Sequence, residues 1–330
     1  VVRTLKDGYW DRTTVVRGPS GELRVRKESR EGGPAGPWAH RALRNEIRYL
    51  RSLSENDRSY FPSLLAFWDD RTIGYEIPFY EDRADFSSLL LAGLLDQDIA
   101  DAMQRQLAGA IIEGLHRSPP FHPSGFTAHI GEVLTKSIDA LGKDPRFRPL
   151  IELPQVRING SLVSGLQASL EELLKRDLCG RFEAAPSVLL HGDLILENIL
   201  WSPLLLIDPV SVAGLDSGPP LFDLVKYESF ATGELYAIRE ELIKAGPVTG
   251  GFHLEIPKQH PALEPFRKVD LLSTFRGRFE REHGEVDPSQ YALLDAYFSL
   301  VMARNTTGRH QWARVIKGCQ SLAHALSSPA

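Results

Sequence analysis

The order of apolar and polar positions divides the chain into a short region with strand periodicity and a longer region with helix periodicity. Residues 23–27, Leu-Arg-Val-Arg-Lys, alternate as in a half-buried strand and follow a turn at residues 18–21. Apolar positions from Leu43 to Leu53 recur at three- and four-residue steps, which is typical of one helix face. We therefore predict a small sheet with one helix over residues 1–78.

Beyond residue 78 the apolar spacing predicts a mostly helical remainder. Asp85 and Asp96 are placed to cap helix starts, and apolar residues from Ile99 to Leu115 recur at four-residue steps. The same spacing predicts further helices at residues 162–173, 233–244, 261–282, 288–304 and 310–326. Two stretches rich in proline and glycine, residues 118–125 and 246–251, are predicted to be loops that rim an acceptor site.

The most informative part of the chain is residues 191–208, HGDLILENILWSPLLLID. An apolar run before it, Pro186 to Leu190, predicts a buried strand that leads into a loop. Two further strands, Ile199–Trp201 and Leu204–Ile207, are predicted to fold about a turn at Ser202-Pro203. Because a hairpin brings its two open ends together, residues near its start and its end must lie side by side.

Three oxygen-bearing side chains stand at this end of the predicted hairpin, and they are Asp193, Asn198 and Asp208. An amide and a carboxylate suit Mg²⁺ when a substrate phosphate supplies further oxygen ligands. Asp193 is then able to orient an attacking hydroxyl and take its proton, as in phosphoryl transfer by H-x-D-x-x-x-x-N followed by a metal-binding Asp. Two other interpretations stay open, namely loop residues that only form hydrogen bonds and a His-x-Asp zinc site.

A nucleotide site also needs a cation for the phosphates, and Lys27 is the candidate. Strand alternation places Lys27 on the opposite face from Arg24 and Arg26. Glu46, nineteen residues further on, borders the apolar face of the predicted helix and is suited to hold the lysine. Ordinary surface charge is the alternative for both residues, and the downstream motif shifts the balance toward a phosphate clamp.

Together these features resemble the aminoglycoside phosphotransferase and choline-kinase-like family of small-molecule kinases. The family signature is HGDxxxxN, a metal-binding Asp after a hairpin and a later Asp-Leu that opens a helix, and residues 191–225 match it. The resemblance implies an α+β, bilobal, protein-kinase-like fold. Its small β-rich lobe is expected at residues 1–78, and its larger, mostly helical lobe, with the catalytic loop and the acceptor site, at residues 79–330.

The resemblance also implies roles for the residues of the signature. Asp193 is expected to be the catalytic base, and Asn198 and Asp208 are expected to bind Mg²⁺. His191 and Asp223 are expected to support the catalytic loop, with Asp223 acting from the start of a helix. The sequence therefore predicts a metal site and a proton acceptor side by side.

Nucleotide binding is implied for the small lobe. Lys27 with Glu46 is expected to hold the α- and β-phosphates. If its last predicted strand aligns with the family hinge, Ile77 lines the base pocket, the Pro78 carbonyl accepts a hydrogen bond from the base and the Tyr80 amide donates one. A purely structural edge strand is the alternative. The sequence does not distinguish ATP from GTP.

The chain departs from relatives at places that bear on regulation. Pro209 follows Asp208 where protein kinases have Asp-Phe-Gly, and because proline fixes one backbone angle we expect a constitutively active loop. Gly192 replaces the arginine of the protein-kinase loop, and only fifteen residues separate Asp208 from Asp223. Pro219 stands where the family often has Asp. These differences favour a small-molecule kinase over a protein kinase.

Composition excludes several other classes. With 38 basic and 43 acidic residues the net charge is −5, and no basic block indicates a nucleic-acid groove. Two cysteines, Cys179 and Cys319, cannot form a disulfide framework, and no leader or membrane-length apolar run is evident. We expect a soluble cytoplasmic protein that binds neither nucleic acid nor membranes.

The sequence thus predicts a Mg²⁺-dependent O-phosphotransferase that moves the terminal phosphoryl group of ATP or GTP to a hydroxyl of a small metabolite or antibiotic. Sugars, aminocyclitols, aminoglycosides and nucleoside antibiotics are the expected acceptors, and antibiotic resistance or self-resistance is one expected role. The alternatives are a catalytically silent nucleotide-binding protein of the same fold and a protein kinase.

Overall fold

The structure is a computed structural model that describes residues 1–7, 11–30, 36–121, 125–210 and 215–327. Its strands in chain order are β1 (Arg3–Asp7), β2 (Asp11–Arg17), β3 (Leu23–Ser29), β4 (Ala66–Asp69), β5 (Ile73–Pro78), β6 (Ala84–Asp85), β7 (Gln155–Ile158), β8 (Ser161–Ser164), β9 (Val188–Leu189), β10 (Ile199–Trp201), β11 (Leu205–Leu206), β12 (Ser217–Gly218), β13 (Lys244–Val248) and β14 (Gly251–Glu255). Its α-helices are α1 (Gly36–Ser52), α2 (Glu55–Arg58), α3 (Phe86–Leu91), α4 (Gln97–Ala108), α5 (Phe126–Gly142), α6 (Arg148–Glu152), α7 (Leu166–Lys175), α8 (Leu221–Ala231), α9 (Glu234–Arg239), α10 (Pro265–Lys268), α11 (Ser273–His283), α12 (Pro288–Ala303) and α13 (Gly308–Ser327).

By contact density the chain divides into two compact units. The first comprises residues 1–122 and 188–217, and the second comprises residues 123–187 and 218–330. The first unit therefore joins the N-terminal region to the segment that carries the HGDxxxxN motif. These units are discontinuous in sequence, whereas the lobe boundary expected after residue 78 divides the chain once. That boundary stays a prediction.

The first unit contains a five-stranded antiparallel sheet in the order β1-β2-β3-β5-β4. The predicted turn joins β2 to β3, and Gly21 takes a positive φ of 86° there, which glycine adopts without steric cost. The strand predicted at residues 23–27 is confirmed as β3. The last predicted strand of the small lobe, which carries Ile77 and Pro78, is confirmed as β5, but the edge-strand interpretation is wrong, since β5 pairs on both sides.

Helix α1 packs against this sheet through the face that the sequence predicted. Leu43, Ile47 and Leu50 are 2%, 7% and 6% exposed. Burying a side chain of this size stabilises a fold by about 1.5–3 kcal/mol. Glu46 lies within the same helix and is also buried, so its carboxylate is held inside the unit.

Two predicted helix caps are confirmed in the first unit. The side chain of Asp85 accepts a hydrogen bond from Ser88 N at the start of α3, and that of Asp96 accepts one from Ile99 N at the start of α4. Such caps satisfy amides that the first helical turn leaves without partners. The long helix predicted after Asp96 is regular to Ala108 and continues as a π-helical turn, Gly109–Gly114.

The second unit contains a sheet that the sequence pattern did not predict. Its strand order is β13-β14-β7-β8, and β14 runs parallel to β7. The loop predicted at residues 246–251 is instead a hairpin that ends β13 and begins β14. Of the other predicted loop, residues 122–124 lie outside the described residues. The helix predicted at residues 233–244 ends at Arg239 because the chain turns into β13.

The long C-terminal helices agree best with the apolar spacing. Helices α12 and α13 confirm the predictions at residues 288–304 and 310–326. The predicted helix at residues 261–282 is broken, since Asp270 accepts hydrogen bonds from Leu272 N and Ser273 N and starts α11 afresh. The helix predicted from Leu162 begins at Leu166 instead, because Leu162 lies in β8.

No helix among the described residues is long and apolar enough to cross a membrane. Cys179 and Cys319 are both buried, and neither forms a disulfide. Burial raises the pKa of the Cys179 thiol to about 11 and that of Cys319 to about 12. Both thiols are therefore protonated at neutral pH, and they behave as small apolar side chains.

Candidate active site

The loop after β9 takes its shape from one glycine. Gly192 has a φ of +82°, and a Cβ built on it would lie 3.0 Å from Val210 Cα and 3.3 Å from Leu215 O. A side chain at this position would therefore be strained and would force two backbone segments apart. The strand predicted at residues 186–190 is present but short, Val188–Leu189, and Leu190 N donates to Asp216 O. The glycine thus allows a close crossing of two loops.

Asp193 and Asn198 lie next to each other in this loop. The Asn198 side-chain nitrogen donates to Asp193 O at 2.8 Å and to Asp193 Oδ2 at 3.3 Å. Both side chains are buried, with exposures of 8% and 6%. Since Nδ2 of the amide faces Asp193, its Oδ1 atom is turned away from that carboxylate. The structure therefore brings these two predicted site residues into direct contact.

The predicted hairpin brings Asp208 to the same end of the structure. Ile199 pairs with Leu206 in the antiparallel ladder of β10 and β11, and Ile207 N donates to Asn198 O at 3.0 Å. Asp208 is the next residue, and its φ of +56° is the left-handed conformation that aspartate tolerates better than most residues. This backbone turns the Asp208 carboxylate toward β3.

Lys27 lies between two carboxylates of this unit. Its Nζ atom is 2.9 Å from Glu46 Oε1, 3.1 Å from Glu46 Oε2 and 3.0 Å from Asp208 Oδ1. A third carboxylate, that of Asp11, is 3.8 Å away. Lys27 and Glu46 are buried, so these ion pairs are poorly screened by water. The prediction that Glu46 holds Lys27 is confirmed as a contact.

Burial and charge shift the pKa values of this cluster in different directions. Burial lowers the pKa of Lys27, but Asp208 and Glu46 outweigh it, so the pKa stays well above the usual value. Burial raises the pKa of Glu46 to about 7 in spite of Lys27. Burial also raises the pKa of Asp208, but Lys27 outweighs it and leaves that pKa below the usual range. Asp208 therefore carries a negative charge at neutral pH beside a protonated lysine.

His191 is enclosed in the same unit. It is fully buried, and its ring stacks on Phe61 with 6.0 Å between ring centroids. Its Nδ1 atom accepts a hydrogen bond from Asp193 N at 3.3 Å, and its carbonyl accepts one from Val210 N. These contacts join the two segments that cross at Gly192, and the supporting role expected for His191 stays a prediction.

The residues expected at the nucleotide base lie on β5 and just after it. Ile77 is buried and pairs with Val25, on the same face of the sheet as Lys27. Pro78 ends the strand opposite Arg24. Tyr80 follows, half-buried, with the guanidinium of Arg83 over its ring. Ile77 thus lies on the sheet face that carries Lys27. The roles expected for Ile77, Pro78 and Tyr80 in binding the base stay predictions.

Asp223 belongs to the second unit. It lies in the first turn of α8 and is fully buried. A carboxylate in a first turn interacts favourably with the positive end of the helix dipole. Its expected role as a brace for the catalytic loop stays a prediction.

Sequence reasoning did not find two residues of the Lys27 cluster. Asp11 supplies the third carboxylate, and the Tyr75 hydroxyl donates to Glu46 Oε1 at 3.0 Å. Tyr75 was detectable in part, because it precedes Ile77 by two residues and therefore shares its face. Its contact with Glu46 depends on the packing of α1, which no local pattern encodes.

The donor set suits a hard cation that a substrate helps to bind. Among the described residues, no group of three or more His, Cys, Asp or Glu side chains is arranged to hold a metal ion. Asn198 and Asp208 offer an amide oxygen and a carboxylate, and Mg²⁺ in nucleotide sites commonly takes one or two protein ligands together with phosphate oxygens and water. The residues present therefore fit a nucleotide-bound Mg²⁺ better than a zinc site.

A model of a known protein family matches most of the chain. The family is described as "Phosphotransferase enzyme family", and the match covers residues 1–246. No curated protein matches the chain in sequence.

Solved structures with the same fold cover nearly the whole chain. A putative fructosamine-3-kinase from Thermobifida fusca is 15% identical with a TM-score of 0.54, and the match covers 99% of this chain and 94% of that one. A choline kinase from Streptococcus pneumoniae is 12% identical with a TM-score of 0.52, covering 98% and 94%. An amicoumacin kinase, in complex with AMP-PNP, Ca²⁺ and Ami, is 11% identical with a TM-score of 0.53, covering 98% and 87%. At these identities the likeness shows the fold, which confirms the predicted protein-kinase-like architecture.

Proposed function

Because the chain belongs to the phosphotransferase enzyme family, we propose that it moves the terminal phosphoryl group of ATP or GTP to a hydroxyl group of a small molecule. The observation that carries this proposal is a single cluster within the first compact unit. Asn198, just before β10, contacts Asp193, and Asp208, just after β11 at the same open end of the hairpin, contacts Lys27. Phosphoryl transfer needs a proton acceptor, a metal site and a phosphate-binding cation close together.

The phosphate-binding cation is Lys27, positioned by Glu46. The lysine is protonated at neutral pH, and Glu46 contacts it through both carboxylate oxygens. A donor triphosphate provides oxygens that take the place of the Asp208 contact on Lys27. Ile77, Pro78 and Tyr80 hold the base of the donor in the same proposal.

The divalent ion is bound by Asn198 and Asp208, with donor phosphate oxygens completing its shell. Nδ2 of Asn198 is engaged with Asp193, which leaves Oδ1 as the atom that binds metal. The low pKa of Asp208 keeps its carboxylate available as a ligand at neutral pH. When bound, Mg²⁺ supplies neutralisation of charge on the β- and γ-phosphates.

Asp193 is the proton acceptor in this proposal. The acceptor hydroxyl attacks the γ-phosphorus, the bond from phosphorus to the β,γ-bridging oxygen breaks, and the nucleoside diphosphate leaves. The hydroxyl proton passes to an Asp193 carboxylate oxygen. His191 and Asn198 hold the Asp193 segment through the bonds to Asp193 N and Asp193 O.

Small hydroxylated compounds are the acceptor class that we propose. The similar structures include kinases named for fructosamine, choline and amicoumacin, which differ in size and charge. Sugars, aminocyclitols, aminoglycosides and nucleoside antibiotics remain the compounds to test, and resistance to an antibiotic is one outcome of phosphorylating it. A cytoplasmic location, where ATP and GTP are available, belongs to the same proposal.

The test follows release of nucleoside diphosphate while Mg·ATP and Mg·GTP are each offered with a panel of these compounds. Asp193→Asn should lower kcat by at least about a thousandfold, since it removes the base but keeps the side-chain shape, and donor affinity should stay within about twofold. Glu197→Gln, a carboxylate-to-amide change in the same loop, is the matched control. Substantial turnover by Asp193→Asn would remove Asp193 as the base. Tight donor binding by a wild-type chain that turns over no acceptor would favour a catalytically silent protein.

A further inference from the structure

Tyr75 lies on β5, which pairs with β3, the strand that carries Lys27. In the antiparallel ladder of β3 and β5 it is the direct partner of Lys27. Directly opposite residues of a sheet project on the same face, so the tyrosine ring and the lysine chain lie side by side. The ring is only 2% exposed, and Ile77 continues the same face beyond it. Tyr75 is therefore an inward-facing neighbour of the phosphate-binding lysine.

Its hydroxyl reaches the carboxylate that holds this lysine. Tyr75 Oη donates to Glu46 Oε1 at 3.0 Å, and Lys27 Nζ donates to the same oxygen at 2.9 Å. The other oxygen, Glu46 Oε2, receives only the lysine, at 3.1 Å, among the contacts of the described residues. Glu46 is thus fixed by two donors from two neighbouring strands, while its own backbone belongs to helix α1.

Packing alone accounts for the ring but not for the hydroxyl. Phenylalanine would fill the same apolar space without a polar atom that needs a partner in the interior. A long glutamate side chain with one donor keeps rotational freedom about its last torsion, and a second donor at a fixed position restricts that freedom. The hydroxyl therefore orients the carboxylate, and the carboxylate orients the lysine.

We propose that Tyr75 is a positioning residue of the donor site, whose hydroxyl fixes Glu46 so that Glu46 presents Lys27 to the phosphates. This inference rests on the proposed function, since it concerns donor binding. It assigns to β5 a role beyond that of a wall for the base pocket. Its contact is with Glu46, so Tyr75 acts through that carboxylate.

The test compares Tyr75→Phe with a matched control, Tyr227→Phe. Tyr227 is also buried, lies in the second unit, and donates its hydroxyl to the backbone carbonyl of Leu271. Tyr75→Phe should raise the Kd and the KM for Mg·ATP or Mg·GTP by about tenfold, as for a lost hydrogen bond to a charged group. The acceptor KM should stay within about twofold. Tyr227→Phe should leave all three constants unchanged while its Tm falls.

A double-mutant cycle identifies the route of the effect. In a Glu46→Met background, whose side chain offers no oxygen acceptor, Tyr75→Phe should change donor binding by less than about twofold, because the carboxylate through which it acts is gone. Since KM does not depend on the fraction of folded molecules, the donor KM remains informative even if a variant is partly unfolded.

Two results would overturn the inference alone. One is donor binding by Tyr75→Phe that equals that of the wild type, and the other is a tenfold effect that persists undiminished beside Glu46→Met. A wild-type chain that binds neither Mg·ATP nor Mg·GTP would instead overturn the proposed function, and with it any donor-positioning role for Tyr75. The wild-type measurement therefore separates the two failures.

Discussion

Each compact unit contains a lysine that contacts two carboxylates at close range. The two clusters differ in the backbone elements that hold their side chains. In the first unit Lys27 lies between Glu46 and Asp208. In the second unit Lys317 pairs with Glu234 and, at 3.0 Å, with Asp295. In both, burial lowers the lysine pKa while the two carboxylates outweigh it, so the pKa is raised. Each cluster thus pairs a protonated lysine with two near carboxylates, and the first has the more distant Asp11 carboxylate, 3.8 Å from Lys27 Nζ, in addition.

The two clusters differ in their backbone conformation. Glu234, Asp295 and Lys317 all project from regular helices, α9, α12 and α13, so their cluster joins three helices of one bundle. Asp208 sits at the end of a hairpin with a left-handed φ, beside a loop that depends on Gly192. Unusual backbone conformations persist where a particular side-chain direction is needed. We therefore expect the cluster in the second unit to be structural and propose that the cluster in the first unit binds the donor.

The largest difference should appear when each lysine is replaced by methionine. Lys27→Met removes the cation that binds phosphates, so kcat/KM for the donor should fall by about a thousandfold, which is about 4 kcal/mol of transition-state stabilisation. Lys317→Met should change it by less than about threefold. Steady-state kinetics with varied Mg·ATP checks both variants, and similar losses in the two would abolish the distinction between the clusters.

A smaller effect is expected in the pH dependence of stability. The pKa of Glu46 is raised from 4.5 to about 7 by burial, so the folded state holds a proton that the unfolded state has released between those pH values. The contribution of Glu46 is greatest below pH 4.5 and falls as the pH rises to about 7. Relative to Glu46→Gln, the wild type should therefore lose about 3 kcal/mol of unfolding free energy over this range.

Urea unfolding at intervals of half a pH unit measures this difference. Ser321, in helix α13 of the second unit, serves as the control. Ser321→Ala removes no titratable group, and its difference from the wild type should stay constant across the same range. A difference between wild type and Glu46→Gln that is flat from pH 4.5 to 7 would show that the Glu46 carboxylate titrates normally.

Lys317→Met should mainly affect stability. It leaves Glu234 and Asp295 without their shared cation in a partly buried setting, which should lower the unfolding free energy by about 2 kcal/mol. Denaturant unfolding at pH 7 checks this value. A neutral or stabilising result would mean that the helices pack as well without the ion cluster.

The smallest effect concerns a hydroxyl in the second cluster. Ser321 Oγ donates to Asp295 Oδ2 at 2.6 Å, in the way that Tyr75 donates to Glu46. Ser321→Ala should cost about 1 kcal/mol of unfolding free energy and leave the Kd for Mg·ATP unchanged. A weaker donor affinity in this variant would contradict the assignment of the second cluster to structure alone.

Local periodicity was sufficient for much of the first unit. The alternation of residues 23–27 and the apolar spacing from Leu43 onward predicted β3 and α1, because each element buries one face. The same alternation predicted that Lys27 lies on the inner face of the sheet, and the helix spacing predicted that Glu46 points partly toward it. The motif spacing also predicted the hairpin that brings Ile207 and Asp208 back beside Asn198.

Long-range pairing was not accessible in this way. Strands β14 and β7 pair in parallel through Phe252 and Ile158, which are far apart in the chain, so no local pattern announces the sheet. Pro247 made its neighbourhood look like a loop, but β13 is an edge strand, where a missing amide is tolerated. The role of Tyr75 was missed for a related reason. Its hydroxyl contacts Glu46 on helix α1, and this contact depends on how α1 packs against the sheet.

The crossing at Gly192 also bears on how this sequence is able to change. Any replacement introduces a carbon about 3 Å from the backbone of Val210 while requiring a φ that L-residues disfavour. Neither strain is relieved by altering a nearby side chain, because the obstacle is main chain. Substitution at residue 192 is therefore opposed by the backbone itself, and libraries that vary the acceptor preference of this enzyme should leave residue 192 untouched.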